Sequence, residues 1–178
     1  MAYTPASMGS ISAEVFTLTY GQLVRQLMTD HQDVDEVNSR LDAIGHSMGV
    51  RLADEFLAKS GTERCLTFKD AIDKIAKAAL PMFLGVEAQV TAWGADGREV
   101  SLVLHENPLT DFVELPRGLE GLQFSQALCG AVRGGLDVVN VRVDCRVVKD
   151  ALRGDPAYEL RVRLLEHQSE EYPFNDDD

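Results

Sequence analysis

The sequence predicts an α+β domain: an antiparallel sheet of two hairpins packed with about four helices. Three observations carry this. Up to Gly85 the apolar residues recur at steps of three and four, as on helices with one buried face. Beyond Gly85 short runs alternate apolar and polar with a period of two, as in half-buried strands. The order is three helices, hairpin, helix, hairpin, which places helices on one face of an antiparallel sheet.

Each element follows from its residues. Residues 1–12 read as a flexible N-terminal arm. The first helix runs from about Ala13 to Met28, with Phe16, Tyr20, Leu23, Val24 and Leu27 on one stripe and Ser12 placed to cap it. The link "TDHQD" leads to a second helix from about Val34 to Ala58. Asp30, Asp33, Asp35 and Glu36 sit at its solvated start, where the helix dipole favours carboxylates. Its stripe is Val34, Val37, Leu41, Ile44, Met48, Leu52 and Phe56, a spacing of about 3.5 residues. Gly45 and Gly49 interrupt it on one face at a cost of about 1 kcal/mol each, which points to close approach of another backbone. The long apolar stripe fits either a subunit interface or an intrachain helical hairpin.

Gly61 is a C-cap signal. Thr67 with Asp70 resembles a capping box at the start of a third helix, whose inner stripe is Phe68, Ile72, Ile75, Ala79 and Phe83. Pro81 is expected to kink or tighten its last turn, and Gly85 to end it. "EAQVTAW", "GADG" and "REVSLVLHE" form a hairpin with Val100, Leu102 and Leu104 on one face. "NPLTDFVELP" is irregular, fixed by Pro108 and Pro116. A fourth helix spans about Leu122 to Leu136, with Phe124, Leu128, Val132 and Leu136 inward. In the second hairpin Val139, Val141, Val143, Cys145 and Val147 face inward, followed by Tyr158, Leu160, Val162 and Leu164. Residues 13–166 thus make a single domain, and 167–178, ending "EEYPFNDDD", an acidic tail.

Of the 178 residues 45% are hydrophobic, enough for a real core. The net charge of −12 argues against nucleic-acid binding and against simple adhesion of a lone subunit to anionic lipid. No apolar run is long enough to span a bilayer, and the opening residues lack the pattern of a signal peptide. Cys65, Cys129 and Cys145 form no CxxC pair, so neither a disulfide framework nor a metal site is expected, and a reducing, cytoplasmic compartment fits. No phosphate loop, GxGxxG, GxSxG or HExxH occurs, so catalysis by the chain alone finds no support.

Cys65 lies two residues before the cap Thr67, beside Arg64, at the positive end of a helix. Both neighbours favour a thiolate. The small Ala76 and Ala79 behind it suit an apolar channel in which an acyl chain would be stabilised by about 0.8 kcal/mol per buried methylene. The plainer alternative is a small buried side chain.

"VFTLTYGQLVRQL", "MGVRLADEFLAKS", "RCLTFKDAIDKIAKAALPMFLG", "NPLTDFVELP" and "LCGAVRGGLDVV" together closely resemble the Bet-three type subunit of TRAPP, the transport protein particle, from about Glu14 to Leu165. The resemblance implies the TRAPP small-subunit fold, dimerising through its first two helices; this places Leu23, Leu27, Leu41, Ile44, Met48 and Leu52 at the interface. It implies a core subunit of a tethering complex between endoplasmic reticulum and Golgi, peripheral on those membranes. The complex, not this chain alone, would be the exchange factor for a Rab-type GTPase. Family members carry an acyl chain on a cysteine matching Cys65, which gives a palmitate-like group lying along Phe68, Ile72, Ile75, Ala76, Ala79 and Phe83. Arg64, Cys65 and Phe68 keep the family pattern, while Leu66, Thr67 and Pro81 depart from it. In some members the C-terminal segment reaches toward the GTPase nucleotide site; carried over, that assigns Phe174, Asp176, Asp177 and Asp178. The competing readings are a free dimeric module that binds an acyl chain or other lipophilic ligand, and an acyl-transfer enzyme using Cys65.

Overall fold

The computed structural model describes residues 12–61 and 67–167. Helix α1 spans Ala13–Asp30 and α2 spans Val34–Ser60. A continuous helical segment follows: α3 over Phe68–Lys74, a π-helical turn over Ile75–Ala79 and α4 over Leu80–Leu84. Strands β1 (Gln89–Thr91) and β2 (Glu99–Leu104), helix α5 (Gln126–Asp137) and strands β3 (Val141–Lys149) and β4 (Tyr158–His167) complete the order.

The four strands form one antiparallel sheet in the order β1-β2-β4-β3. Its inner face is apolar, as the alternation predicts: Val100, Leu102, Leu104, Val141, Val143, Cys145, Leu160 and Val162 are all buried. Helix α5 lies between that face and α2. Helix α1 is pinned from its own buried side. The Tyr20 hydroxyl donates to the Phe124 carbonyl at 2.5 Å, and their rings meet edge to face at 5.1 Å. The Thr17 hydroxyl donates to the Pro108 carbonyl.

Local chemistry sets the ends of most elements. Asp33 caps α2 by accepting from the Asp35 N–H at 3.0 Å, and Gly61 ends it in the left-handed conformation at φ 56°. Ser12 occupies the cap position of α1, but its side chain makes no capping bond, contrary to the expectation. Helix α5 begins at Gln126 and not near Leu122. Leu122 and Phe124 are buried from turns ahead of the helix, and the Ser125 hydroxyl accepts from the Asn107 amide at 3.0 Å. The irregular segment is held mainly by Asn107, which also accepts from the Leu109 N–H and is itself buried. Thr110 closes the cluster against the Tyr158 hydroxyl at 2.6 Å.

Pro81 does not tighten the last turn of the third helix, which stays α-helical over Leu80–Leu84; the turn before it widens. The Leu80 N–H reaches back five residues to the Ile75 carbonyl. The Ala76 carbonyl would next look to residue 81, which is proline and has no N–H. It accepts instead from the Ala88 N–H at 3.2 Å, tying the helix to the chain leading into β1.

Candidate functional site

Two of the three cysteines are excluded from thiol chemistry by their surroundings. Cys129 on α5 and Cys145 on β3 are free and buried. A hydrogen bond with the Cys145 thiol, then burial, pushes the Cys129 thiol well above its ordinary range, so it stays neutral. Cys65 and Arg64 lie outside the described residues, as do Phe174, Asp176, Asp177 and Asp178.

The helix that follows Cys65 is built as its capping signal implies. The Thr67 hydroxyl accepts from the Asp70 N–H at 3.1 Å, and Asp70 places a carboxylate in the first turn. Behind the cap, Phe68, Ala71, Ile72, Ala76 and Leu80 are buried. Ile75 packs half-buried against the core. Ala79 and Phe83 are half-buried and lie outside the core cluster. The π turn explains the shift. It takes more residues per revolution than an α turn, so Leu80 arrives at the position that a straight α-helix would give to Ala79. Trp93, which the sequence pattern did not single out, packs edge to face on Phe68 with ring centroids 5.8 Å apart. It sits in the loop between β1 and β2, at the end of the helix nearest Cys65 in sequence.

Gly45 and Gly49 prove to serve an intrachain contact. A Cβ on Gly45 would lie 2.0 Å from the Ala127 carbonyl oxygen, and one on Gly49 2.1 Å from that of Ala131. The arrangement is reciprocal: on α5, Gly130 and Gly134 would each place a Cβ 2.1 Å from a carbonyl oxygen of α2, at Asp42 and His46. The "CGAVRGG" pattern in α5 was the signal that could have paired the two helices. Polar contacts flank the seam. Arg133 pairs with Asp42 at 2.6 Å, Gln126 donates to Asp42 at 3.0 Å, and His46 meets Asp137 at 2.7 Å.

This crossing divides the α2 stripe in two. Val37 and Leu41 face the chain's own core and have no exposed surface. Leu41 is therefore a core residue and not an interface residue, because its own chain already encloses it. Met48 is 41% exposed, and Ile44 and Leu52 are half-buried. On α1, Leu23 is 37% exposed, while Leu27 packs half-buried against the core. Leu23, Leu27, Ile44, Met48 and Leu52 thus keep apolar surface that the chain itself does not cover.

A family model described as the transport protein particle (TRAPP) component matches residues 16–163. The chain belongs to the TRAPP component family. Among TRAPP relatives it is 45% identical to trafficking protein particle complex subunit 3 of Dictyostelium discoideum, over 94% of this chain and 90% of that one. It is 38% identical to subunit BET3 of Saccharomyces cerevisiae, over 94% and 88% of the two chains. It superposes, with a TM-score of 0.85 and 46% identity, on a crystal structure of trafficking protein particle complex subunit 3 from Naegleria fowleri covalently bound to palmitic acid, covering 89% of this chain and 98% of that one. The phenol-responsive sensory domain of PoxR shares the fold alone, at a TM-score of 0.57 and 14% identity over 88% of this chain and 76% of that one. No described helix is long and apolar enough to cross a membrane. The α+β TRAPP fold expected from the sequence is the fold observed.

Proposed function

We propose that this chain is a core subunit of a TRAPP vesicle-tethering complex acting between endoplasmic reticulum and Golgi, and that Cys65 carries a palmitate-like acyl chain. The observation that carries the reading is the 46% identical relative bound covalently to palmitic acid, set beside the helix that follows Cys65 here. That helix starts with a capped N-terminus and encloses Phe68, Ile72 and the small Ala76. The helix dipole favours the thiolate form of a nearby cysteine. In acylation the Cys65 sulfur attacks the carbonyl carbon of an acyl thioester. The new thioester bond forms as the donor's carbon–sulfur bond breaks, and the donor leaves as its thiolate. The attached chain lies against Phe68, Ile72, Ile75 and Ala76, with Ala79 and Phe83 at its rim.

Alone, the chain forms a homodimer through Leu23, Leu27, Ile44, Met48 and Leu52. In the complex it contacts other TRAPP subunits, and the assembly, not the single chain, promotes nucleotide exchange on a Rab-type GTPase. The tail residues Phe174, Asp176, Asp177 and Asp178 approach that GTPase, where carboxylates would compete electrostatically with nucleotide phosphate for magnesium. The protein works in the cytoplasm, peripheral on Golgi and endoplasmic reticulum membranes.

Intact mass of the protein purified from eukaryotic cells tests the acyl assignment. A stoichiometric fatty-acyl increment, removed by hydroxylamine and absent in Cys65→Ser, is expected. An unmodified mass, or an increment that survives Cys65→Ser, would overturn it. Co-purification of other TRAPP subunits from the same cells separates complex subunit from free carrier.

A further inference from the structure

The outer face of the sheet is unlike the rest of this acidic chain. It carries Arg142, Asp144 and Arg146 from β3, and Arg161 and Arg163 from β4, with Asp144 and Glu99 standing across the ladder from Arg163 on its two sides. Some of this charge is neutralised on the face. Arg161 pairs with Glu99 at 3.2 Å and Glu159 at 2.8 Å, Lys149 with Glu159 at 2.7 Å, and Arg142 with Glu166 at 3.4 Å. Arg146 and Arg163 are exposed, and among the described residues neither has an ion-pair partner. Arg146 stands directly across the ladder from Arg161, whose own charge is met by Glu99 and Glu159, so Arg146 is the one of the two left without a carboxylate. Two register shifts, one on each side of these arginines, accompany exposed apolar residues: Leu165 is 55% exposed and Val148 44%. Val148 and Leu165 thus flank a face on which Arg146 has no ion-pair partner among the described residues and Arg163 stands between Asp144 and Glu99.

The chain itself supplies a complementary segment. Residues 168–178 continue directly from β4. They contain Glu170, Glu171, Asp176, Asp177 and Asp178, with Tyr172, Pro173 and Phe174 between the acidic groups, and no lysine or arginine. At about 3.3 Å per residue, eleven residues reach about as far as the ten-residue β4, so after reversing, the segment can span most of the face.

We propose that the C-terminal segment 168–178 docks on the outer sheet face of its own chain, its carboxylates on Arg146 and Arg163 and its aromatic residues on Leu165 and Val148. Carboxylate–guanidinium contacts give direction to such docking, and the tether supplies a high effective concentration. The contact does not require the GTPase role proposed above; docked, the tail is withheld from any other surface until the contact breaks.

Cleavage after Glu170 and Glu171 by a glutamyl endopeptidase, followed by intact mass on the full chain, tests this. The reference is a synthetic peptide of residues 163–178. Docking predicts cleavage about tenfold slower in the protein than in the peptide, equivalent to about 1.4 kcal/mol. Arg146→Ser with Arg163→Ser, both exposed and outside the core, should restore the peptide rate. Raising salt from about 0.05 to about 0.5 M should do so in the unsubstituted chain, by screening the ion pairs. Equal rates in protein and peptide at low salt would overturn the proposal. Protection that grows with protein concentration would overturn it too, by making a second copy the occupant.

Discussion

Gly45 on α2 and Ala127 on α5 approach so closely that a Cβ on the glycine would lie 2.0 Å from the Ala127 carbonyl oxygen. Both partners are helix backbone, so no rotamer change can relieve the clash. Gly45→Ala is expected to cost about 3 kcal/mol or more in urea unfolding. Gly21, in α1, has nothing near its Cβ position. Gly21→Ala should instead stabilise by about 0.5–1 kcal/mol through helix propensity.

The two halves of the α2 stripe should respond differently to substitution. Met48→Glu places a charge on surface that is already 41% exposed, so the single chain should keep its fold and melting temperature. Light scattering should then report a monomer for the variant and, on the proposed interface, a dimer for the unsubstituted chain. Leu41→Ala empties a fully enclosed site and should cost about 2–5 kcal/mol of folding stability. A Met48→Glu dimer of unchanged affinity would remove the exposed side of α2 from the interface.

Ala76 and Ala79 discriminate the path proposed for the acyl chain. Ala79 is half-buried and outside the core cluster, so Ala79→Leu should fold and leave the acyl increment in intact mass unchanged. Ala76 has no exposed surface, and leucine there should overpack by about 1–3 kcal/mol. Among molecules that fold, Ala76→Leu should show reduced acyl occupancy. Full occupancy in folded Ala76→Leu would mean that the chain runs elsewhere.

Glu159 should give stability an acid-sensitive component. Its carboxylate accepts from Lys149, Arg161 and Ser101, which holds its pKa at about 2, below the ordinary 4.5. A lowered folded pKa makes the ionised form stabilising at pH values above 4.5, and that contribution is lost as pH falls from 4.5 toward about 2. Glu159→Gln should therefore be less stable than the parent at pH 6, by on the order of 1 kcal/mol after screening of the exposed Lys149. The gap should close as pH approaches 2, in parallel urea titrations. A gap independent of pH would assign the loss to packing.

Helix and strand identity was legible because apolar spacing records which face each element buries. Val100, Leu102 and Leu104 behave as their alternation predicts, and so do Tyr20 and Val24. Spacing does not record what covers a face. Leu41 and Met48 share one stripe, yet one is sealed by α5 and the core while the other is left open. That difference depends on which side of α2 the α5 seam and the core occupy, a long-range fact. Ala79 was misplaced for a local reason: the donor missing at Pro81 reorganises the turn before it, and the inward face moves by one residue. Asn107 and Trp93 escaped notice because a single buried amide or a loop aromatic leaves no periodic trace.

One acceptor, the Ala76 carbonyl, is contested by whichever donors can reach it. Proline at 81 removes the competitor within the helix, and the Ala88 amide holds the position. The residue at 81 therefore decides whether the helix and the hairpin share a bond or close separately, although its own side chain lies outside the core cluster. Supplying a donor through Pro81→Ala would set the two amides in competition. The readout is a clock: hydrogen exchange at Ala88 should quicken relative to neighbours whose partners are untouched.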